Sequence, residues 1–290
     1  MKTYLLILLL IASAIELTAQ DDLMALLEKE SEPGINYTEA TFKGTRLING
    51  HSIETRKKGV LDFIIGHRFG RINSGAYEFF GLDQSNVRIG FDYGLTNRLN
   101  IGIGRNSFEK TYDSFLKYKL MKQQSGSRQL PVSIVAFSSI AIKTLRTNDP
   151  ATETDFISSL TYTYQIIIAR KFSPSFSFQL LPSLVHRNAV LPDLEGNDIY
   201  ALGAGGRVKL TKRLSLNAEY YYQFNRIANS LIQNSFALGV DIETGGHVFQ
   251  LQLTNSRAMI EKGFITETTG NFFRGDIHFG FNISRTFQLH

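Results

Sequence analysis

Between residues 60 and 290, turn signals recur about every ten to fourteen residues, and the segments between them alternate apolar with polar side chains. Val87, Ile89, Phe91 and Tyr93 interleave with Arg88, Gly90, Asp92 and Gly94, and Phe236, Leu238, Val240 and Ile242 with Ser235, Ala237, Gly239 and Asp241. Neighbouring side chains on a strand point to opposite faces, so each segment has one apolar and one polar face. The segments are close to the roughly 9–11 residues that a strand needs to cross a bilayer. No segment after the first twenty residues approaches the ~20 consecutive apolar residues of a membrane-spanning helix. In hydrocarbon, strands satisfy their backbone groups only as a closed ring. The fold class expected is therefore all-β: a single antiparallel transmembrane β-barrel of about twelve strands, with a short N-terminal segment.

The strands are predicted over 60–70, 84–94, 98–107, 111–122, 131–144, 155–170, 175–187, 198–210, 213–225, 233–243, 246–256 and 274–288. Connection lengths support the count, because barrels of this class have short periplasmic turns and longer outer loops. Tight turns follow the even strands at Leu95-Thr96-Asn97-Arg98, Phe172-Ser173-Pro174, Leu210-Thr211-Lys212-Arg213 and Thr244-Gly245-Gly246. Longer connections follow the odd strands at 71–83, 145–154, 188–197 and 257–273, with the short link at 107–110 and the longer stretch at 123–130 as exceptions. The turn at 94–101 echoes the one at 209–216, which reads as one hairpin solution used twice, since no longer period recurs. Tyr and Phe gather near strand ends, as expected of aromatic girdles, and Trp is absent.

The chain divides into a leader over 1–19, an N-terminal periplasmic or plug-like segment over 20–58, and the barrel over 59–290. Met1-Lys2 starts the leader, Leu5 to Ala12 forms its apolar run, and Leu17-Thr18-Ala19 supplies small residues for cleavage. Residues 20–36 read as a short amphipathic helix ended by Pro33-Gly34, and Asn49-Gly50 as a hairpin turn in a polar stretch with isolated apolar positions. The absence of cysteine excludes disulfides, thiolate metal sites and a lipid-attachment cysteine. Export without disulfides places the chain in the outer membrane of a Gram-negative envelope. A net charge of +5 comes with no Lys/Arg block longer than Arg56-Lys57-Lys58, so no nucleic-acid partner is expected.

Four stretches carry a resemblance: ATFKGTRLINGHSIET (40–55), GVLDFIIGHRFGRINSG (59–75), GLDQSNVRIGFDYGLTNRLNIGIGR (81–105) and SFEKTYDSFLKYKL (107–120). They resemble an uncharacterised family of Bacteroidota outer-membrane β-barrel proteins, a domain of unknown function. The resemblance implies a barrel in the outer membrane and assigns no activity.

The inward face is where function would reside. On this register the lumen-facing candidates are Asp62, Arg68, Arg88, Asp92, Lys117, Lys119, Arg207, Lys209, Glu219, Asp241 and Glu243, with Gln165 beside them. Two readings stay open. The charges either pair with one another and fill the interior, or line a pathway for small polar solutes. Glycines at 90, 94, 102, 104, 203, 205, 239 and 280 share that face and leave room for long neighbours, a plug or a channel. The six histidines are scattered, so neither metal nor cofactor is assigned. Lipid hydrolysis, a less favoured function, has two candidate sets of residues, His186 with Ser183 and Asn188, and His278 with Asn282 and Ser284. The first places His186 and Ser183 on opposite faces, and the second spreads His278 and Ser284 about 20 Å along one strand. The expected function is non-enzymatic: a narrow pore or transporter for small polar solutes, with a non-conducting structural or docking barrel as the alternative. The partners expected are outer-membrane lipid and small polar solutes; any envelope protein partner is unspecified.

Overall fold

The computed structural model describes residues 34–146, 155–189, 196–226 and 231–289. The expected leader and the helix over 20–33 lie outside the described residues. A small unit built from 34–37 and Gln123–Pro131 pairs β1 (Asn36–Tyr37) with β6 (Gln124–Ser125) in antiparallel register. Everything else belongs to one large unit.

That unit is a closed ring of twelve antiparallel strands. In chain order they are β2 (Val60–Arg71), β3 (Ser85–Gly94), β4 (Leu99–Asn106), β5 (Tyr112–Met121), β7 (Ser133–Ile142) and β8 (Leu160–Lys171). They continue with β9 (Phe176–Arg187), β10 (Asp198–Lys209), β11 (Leu214–Gln223), β12 (Ser235–Thr244), β13 (His247–Thr254) and β14 (His278–Gln288). Each pairs with its sequence neighbour, and β14 closes the ring on β2 from His278↔Arg71 to Gln288↔Val60. The expected strand order and count hold, with boundaries moved by a few residues.

Period two sorts the side chains as anticipated. Along β3, Asn86, Arg88 and Asp92 are buried while Ile89 and Phe91 remain 45% and 40% exposed. Ile103, Leu116, Tyr164, Leu216 and Leu251 stand out from the same outer wall. Apolar area left in water costs roughly 25 cal/mol per Å², so a continuous outer wall of this kind is stable only against hydrocarbon or another apolar surface.

The short turns share a local cause. Thr96 Oγ1 accepts from the Arg98 and Leu99 amides (3.1 and 2.9 Å), and Thr211 Oγ1 does the same for Arg213 and Leu214 (3.2 and 3.0 Å). Ser173 Oγ accepts from Ser175 and Phe176 (3.2 and 3.0 Å). A hydroxyl at the first turn position thus replaces a backbone acceptor, which accounts for the repeated sequence pattern. At Gly245 and Gly246 the backbone turns instead through positive φ (30° and 104°), a region glycine enters without Cβ strain.

One connection departs from expectation. Residues 257–273 do not form an outer loop over their whole length. Ala258 to Thr266 are buried, including all of helix α1 (Glu261–Thr266). The stretch Ala258-Met259-Ile260 and the pair Phe264-Ile265 are apolar, and they turn in towards the ring interior because an apolar surface waits there.

Candidate functional site in the barrel lumen

The segment 41–54 builds the site. Its centre is a tight hairpin: Ser52 N donates to Thr45 O (2.9 Å), Leu47 N donates to Gly50 O (2.9 Å), and Arg46 pairs with His51. Inward side chains grip it from all around the ring. Arg68 on β2 donates from Nη2 to Asn49 Oδ1 (2.6 Å), and Asp92 on β3 accepts from Thr45 Oγ1 (2.6 Å). Lys117 on β5 donates to the carbonyls of Ser52 (2.8 Å) and Glu54 (2.6 Å). Gln179 on β9 bridges the hairpin backbone, accepting from Ile53 N (3.2 Å) and donating to His51 O (3.0 Å). Glu219 on β11 accepts from the amides of Asn49 and Gly50 (3.2 and 3.1 Å). Gln250 on β13 and Asn282 on β14 donate to Leu47 O (2.8 Å) and Ile48 O (3.3 Å). A hairpin bonded to strands on every side of a closed ring occupies its bore.

The sequence-derived candidates therefore have definite places. Asp62, Arg68, Arg88, Asp92, Lys117, Arg207, Glu219 and Asp241 are buried on the inner wall, and Lys119, Lys209 and Glu243 are half-buried. Asp62 accepts from Arg56 Nε (2.5 Å) and Thr286 Oγ1 (2.7 Å). Arg207 donates to Ala40 O (3.0 Å), Glu243 pairs with Lys43, and Asp241 accepts from Gln250 (2.9 Å). Among the candidates only Arg88 makes a charge pair between strands, donating from Nε and Nη2 to Asp113 (3.0 and 2.5 Å). Most of the inward charge is thus used on the N-terminal segment rather than on other strands.

The interior also carries an apolar cluster. Phe115, Val135, Phe137, Ile167, Ala169, Leu181, Val185, Ile199, Ala201, Tyr221 and Ala237 face inward from β5 and β7 to β12. They form one cluster with Phe42, Leu47, Ile48 and Ile53 of the N-terminal segment and Phe264 and Ile265 of α1. Burying each such side chain contributes about 1.5–3 kcal/mol. This corrects the expectation of a uniformly hydrophilic bore. A trace of it stands in the sequence: Ile166-Ile167-Ile168 and Leu180-Leu181 are apolar at both parities, the mark of strands buried on two faces.

Inward glycines make the space. A Cβ on Gly205 would lie 2.4 Å from Leu47, one on Gly102 2.1 Å from Phe115, and one on Gly280 2.4 Å from Arg68. His51 sits between Phe115 and Phe137, with ring centroids 4.4 and 4.5 Å away. Burial first, and then the charges of Arg46, Lys117 and Arg88, push its imidazole well below the ordinary value, so it is neutral. Glu261 of α1 lies 3.6 Å from Arg46, and burial raises its carboxyl despite that neighbour. A cavity of about 10 Å³ lies beside Arg46, Arg68 and Arg88, room for roughly one water. At the long-connection end a wider cavity of about 650 Å³ opens above α1.

The hydrolase sets are not assembled. His186 Nδ1 contacts Asp198 Oδ1 (2.7 Å), whereas Ser183 accepts from Gln165 (2.8 Å) inside the ring. His278 Nδ1 meets Phe69 O (2.8 Å), Asn282 serves Gln252 and Gln250, and Ser284 faces Val248 O (3.5 Å).

Residues 42–287 match the sequence pattern of a family described as a membrane bound beta barrel domain (DUF5777). The chain belongs to that family. The match begins at the first apolar residue of the plugging segment, so the DUF5777 domain takes in Phe42, the hairpin, eleven strands whole and β14 as far as Phe287. No curated protein matches the chain. Solved structures with a similar course include the KdgM porin, 9% identical, covering 79% of this chain and 99% of that one with a TM-score of 0.46. The outer membrane protein Omp33 of Acinetobacter baumannii is 8% identical, with coverage of 78% and 97% and a TM-score of 0.43. Outer membrane phospholipase A of Escherichia coli is 11% identical, with coverage of 78% and 92% and a TM-score of 0.42.

Proposed function

We propose that this DUF5777 protein is exported by its 1–19 leader, inserts in the outer membrane, and stands there as a barrel sealed at rest. Its work is done at the mouth, as an anchored docking or binding module, and not by free diffusion through the bore. One observation carries this reading: an apolar cluster on the inner wall, with Val135, Phe137, Ile167, Leu181 and Val185 among its members, packs against Leu47, Ile48, Ile53, Phe264 and Ile265. A wall meant to face water throughout would expose those side chains whenever the plug left. Single-channel recording of the full chain in planar bilayers tests it. Silence is expected, and sustained discrete openings would overturn it.

A second reading, gated passage of small polar solutes, draws on the polar part of the wall, where Arg68, Arg88, Asp92 and Asn282 are gathered. In that case Asp92→Asn would alter ion preference of the open state. In a sealed barrel the same change alters stability alone.

A further inference from the structure

On the outer wall, β7 presents two small side chains in succession, Ala136 and Ser138. Their cross-strand partners are large: Leu116 and Tyr118 on β5, Tyr164 and Ile166 on β8. A groove of about 590 Å³ therefore lies along β7, with Ala136 and Ser138 as its floor and the four larger side chains as its sides. Towards the short-turn end it continues over the pair Ile134 and Ile168. Arg170 follows Ile168 on the outward parity of β8. Its guanidinium lies 5.1 Å over the Phe172 ring, and Phe178 stands opposite it on β9. Stacking uses the guanidinium face and leaves the in-plane N–H groups for an acceptor. The acids at this end of the ring are engaged elsewhere, Glu39 with Lys122, Glu243 with Lys43 and Asp62 with Arg56. Among the described residues, none supplies the Arg170 side chain with a carboxylate within 4 Å. The spacing along β8 also matters. Arg170 lies about 13 Å from Ile166 and about 20 Å from Tyr164, at roughly 3.3 Å per residue. Half of a ~30 Å hydrocarbon core is about 15 Å, so the cation and the groove floor belong to one leaflet.

We propose that this groove binds one phospholipid of the surrounding membrane, with an acyl chain lying along β7 and the phosphate held by Arg170. Guanidinium and phosphate match in shape and form paired N–H···O bonds, while the groove offers the chain a fitted apolar surface. A second copy of this chain would cover the groove but bring no anion to Arg170. The exposed charges on the short-turn rim, Arg98, Lys212, Arg213 and Arg285, are themselves cations. Arg285 provides the internal contrast. It stacks 5.0 Å over Phe287 on the opposite side of the ring, yet its outward neighbours Phe63, Ile65 and Ile283 are all large, so no floor of small residues runs from it. The inference is independent of what the bore conducts, since it concerns the other face of the wall.

Native mass spectrometry of the full chain released from detergent micelles tests it, with phosphatidylglycerol, diacylglycerol or glycerol phosphate added. One saturable phosphatidylglycerol adduct is expected, with diacylglycerol retained more weakly and glycerol phosphate not at all. Arg170→Gln should weaken the phosphatidylglycerol adduct about tenfold, the scale of one lost charge-assisted hydrogen bond, and bring it down to the level of diacylglycerol. Ala136→Leu fills the groove floor from the lipid side and should weaken both lipids, while circular dichroism verifies that the strands persist. Arg285→Gln should leave the adduct unchanged. Equal retention of phosphatidylglycerol and diacylglycerol by the wild type, retention of glycerol phosphate, an adduct indifferent to both Arg170→Gln and Ala136→Leu, or a dimer that Ala136→Leu dissolves would overturn the proposal.

Discussion

Arg68 and Asn49 meet inside the ring, where the guanidinium Nη2 of a barrel strand donates to the amide oxygen at the tip of the hairpin over 2.6 Å. Both side chains are 1% exposed. Their bond ties the plug to the wall where neither side chain reaches bulk water.

Asn49→Ala removes the acceptor and leaves Arg68 buried without it. The expected cost is about 1.5–3 kcal/mol, the range for hydrogen bonds to charged groups. Arg68→Met in the same background should recover part of that loss, because the charge that lacked a partner is gone. Denaturant unfolding of the barrel in lipid vesicles measures both.

Gly50 lies against Tyr221, and a Cβ there would fall 2.0 Å from the phenol oxygen and 3.1 Å from the ring carbon that bears it. Gly50→Ala should therefore displace the hairpin tip and lower the unfolding midpoint. Adding Tyr221→Phe removes the nearer atom and should restore most of the loss. Equal midpoints for Gly50→Ala and the wild type would show that the tip does not pack on Tyr221.

His51 makes stability depend on pH in a definite direction. Its pKa in the folded protein is well below the ordinary value, chiefly through burial. The unfolded chain therefore takes up the proton first, near pH ~6.5, and stability falls as pH drops below that point until the folded form also titrates. Glu261 works the other way: its raised carboxyl keeps a proton in the folded state above the unfolded value of about 4.5, so acidification through that window favours folding. His51→Leu should remove the first component, and Glu261→Gln the second. Unfolding midpoints between pH 4 and 8 for the three proteins separate them.

Ile103 projects from the outer wall of β4 with 61% of its surface exposed. Ile103→Arg should destabilise the inserted barrel by about 2–4 kcal/mol if the residue sits near the bilayer midplane, less nearer an interface. No effect on vesicle insertion or unfolding would argue against hydrocarbon at that face.

The strands were readable because their cause is local. Alternation such as Val87-Arg88-Ile89-Gly90-Phe91-Asp92 specifies a two-faced strand whatever lies elsewhere, and Thr96 and Thr211 make their turns with amides two and three residues on. The inward set followed from the same parity. The identity of what those side chains hold did not, since Gln250 bonds Leu47 and Asn282 bonds Ile48 across separations of 203 and 234 residues. Asp113, Asn49, His51 and Glu261 are not legible as site residues for that reason. Each is ordinary in its own stretch and becomes special only beside its partner.

From the order of its residues alone, the chain determined a ring of strands with an apolar exterior and charged positions within, because side-chain direction alternates over neighbouring residues. Only the tertiary structure decided that the bore is occupied, and by what. That filling rests on the isolated apolar residues Phe42, Leu47, Ile48 and Ile53, on Phe264 and Ile265, and on the apolar side chains that β7 to β12 turn inward beside their polar ones. Those surfaces are separated along the chain by the whole length of the barrel and find one another only once the ring has brought them to within van der Waals reach.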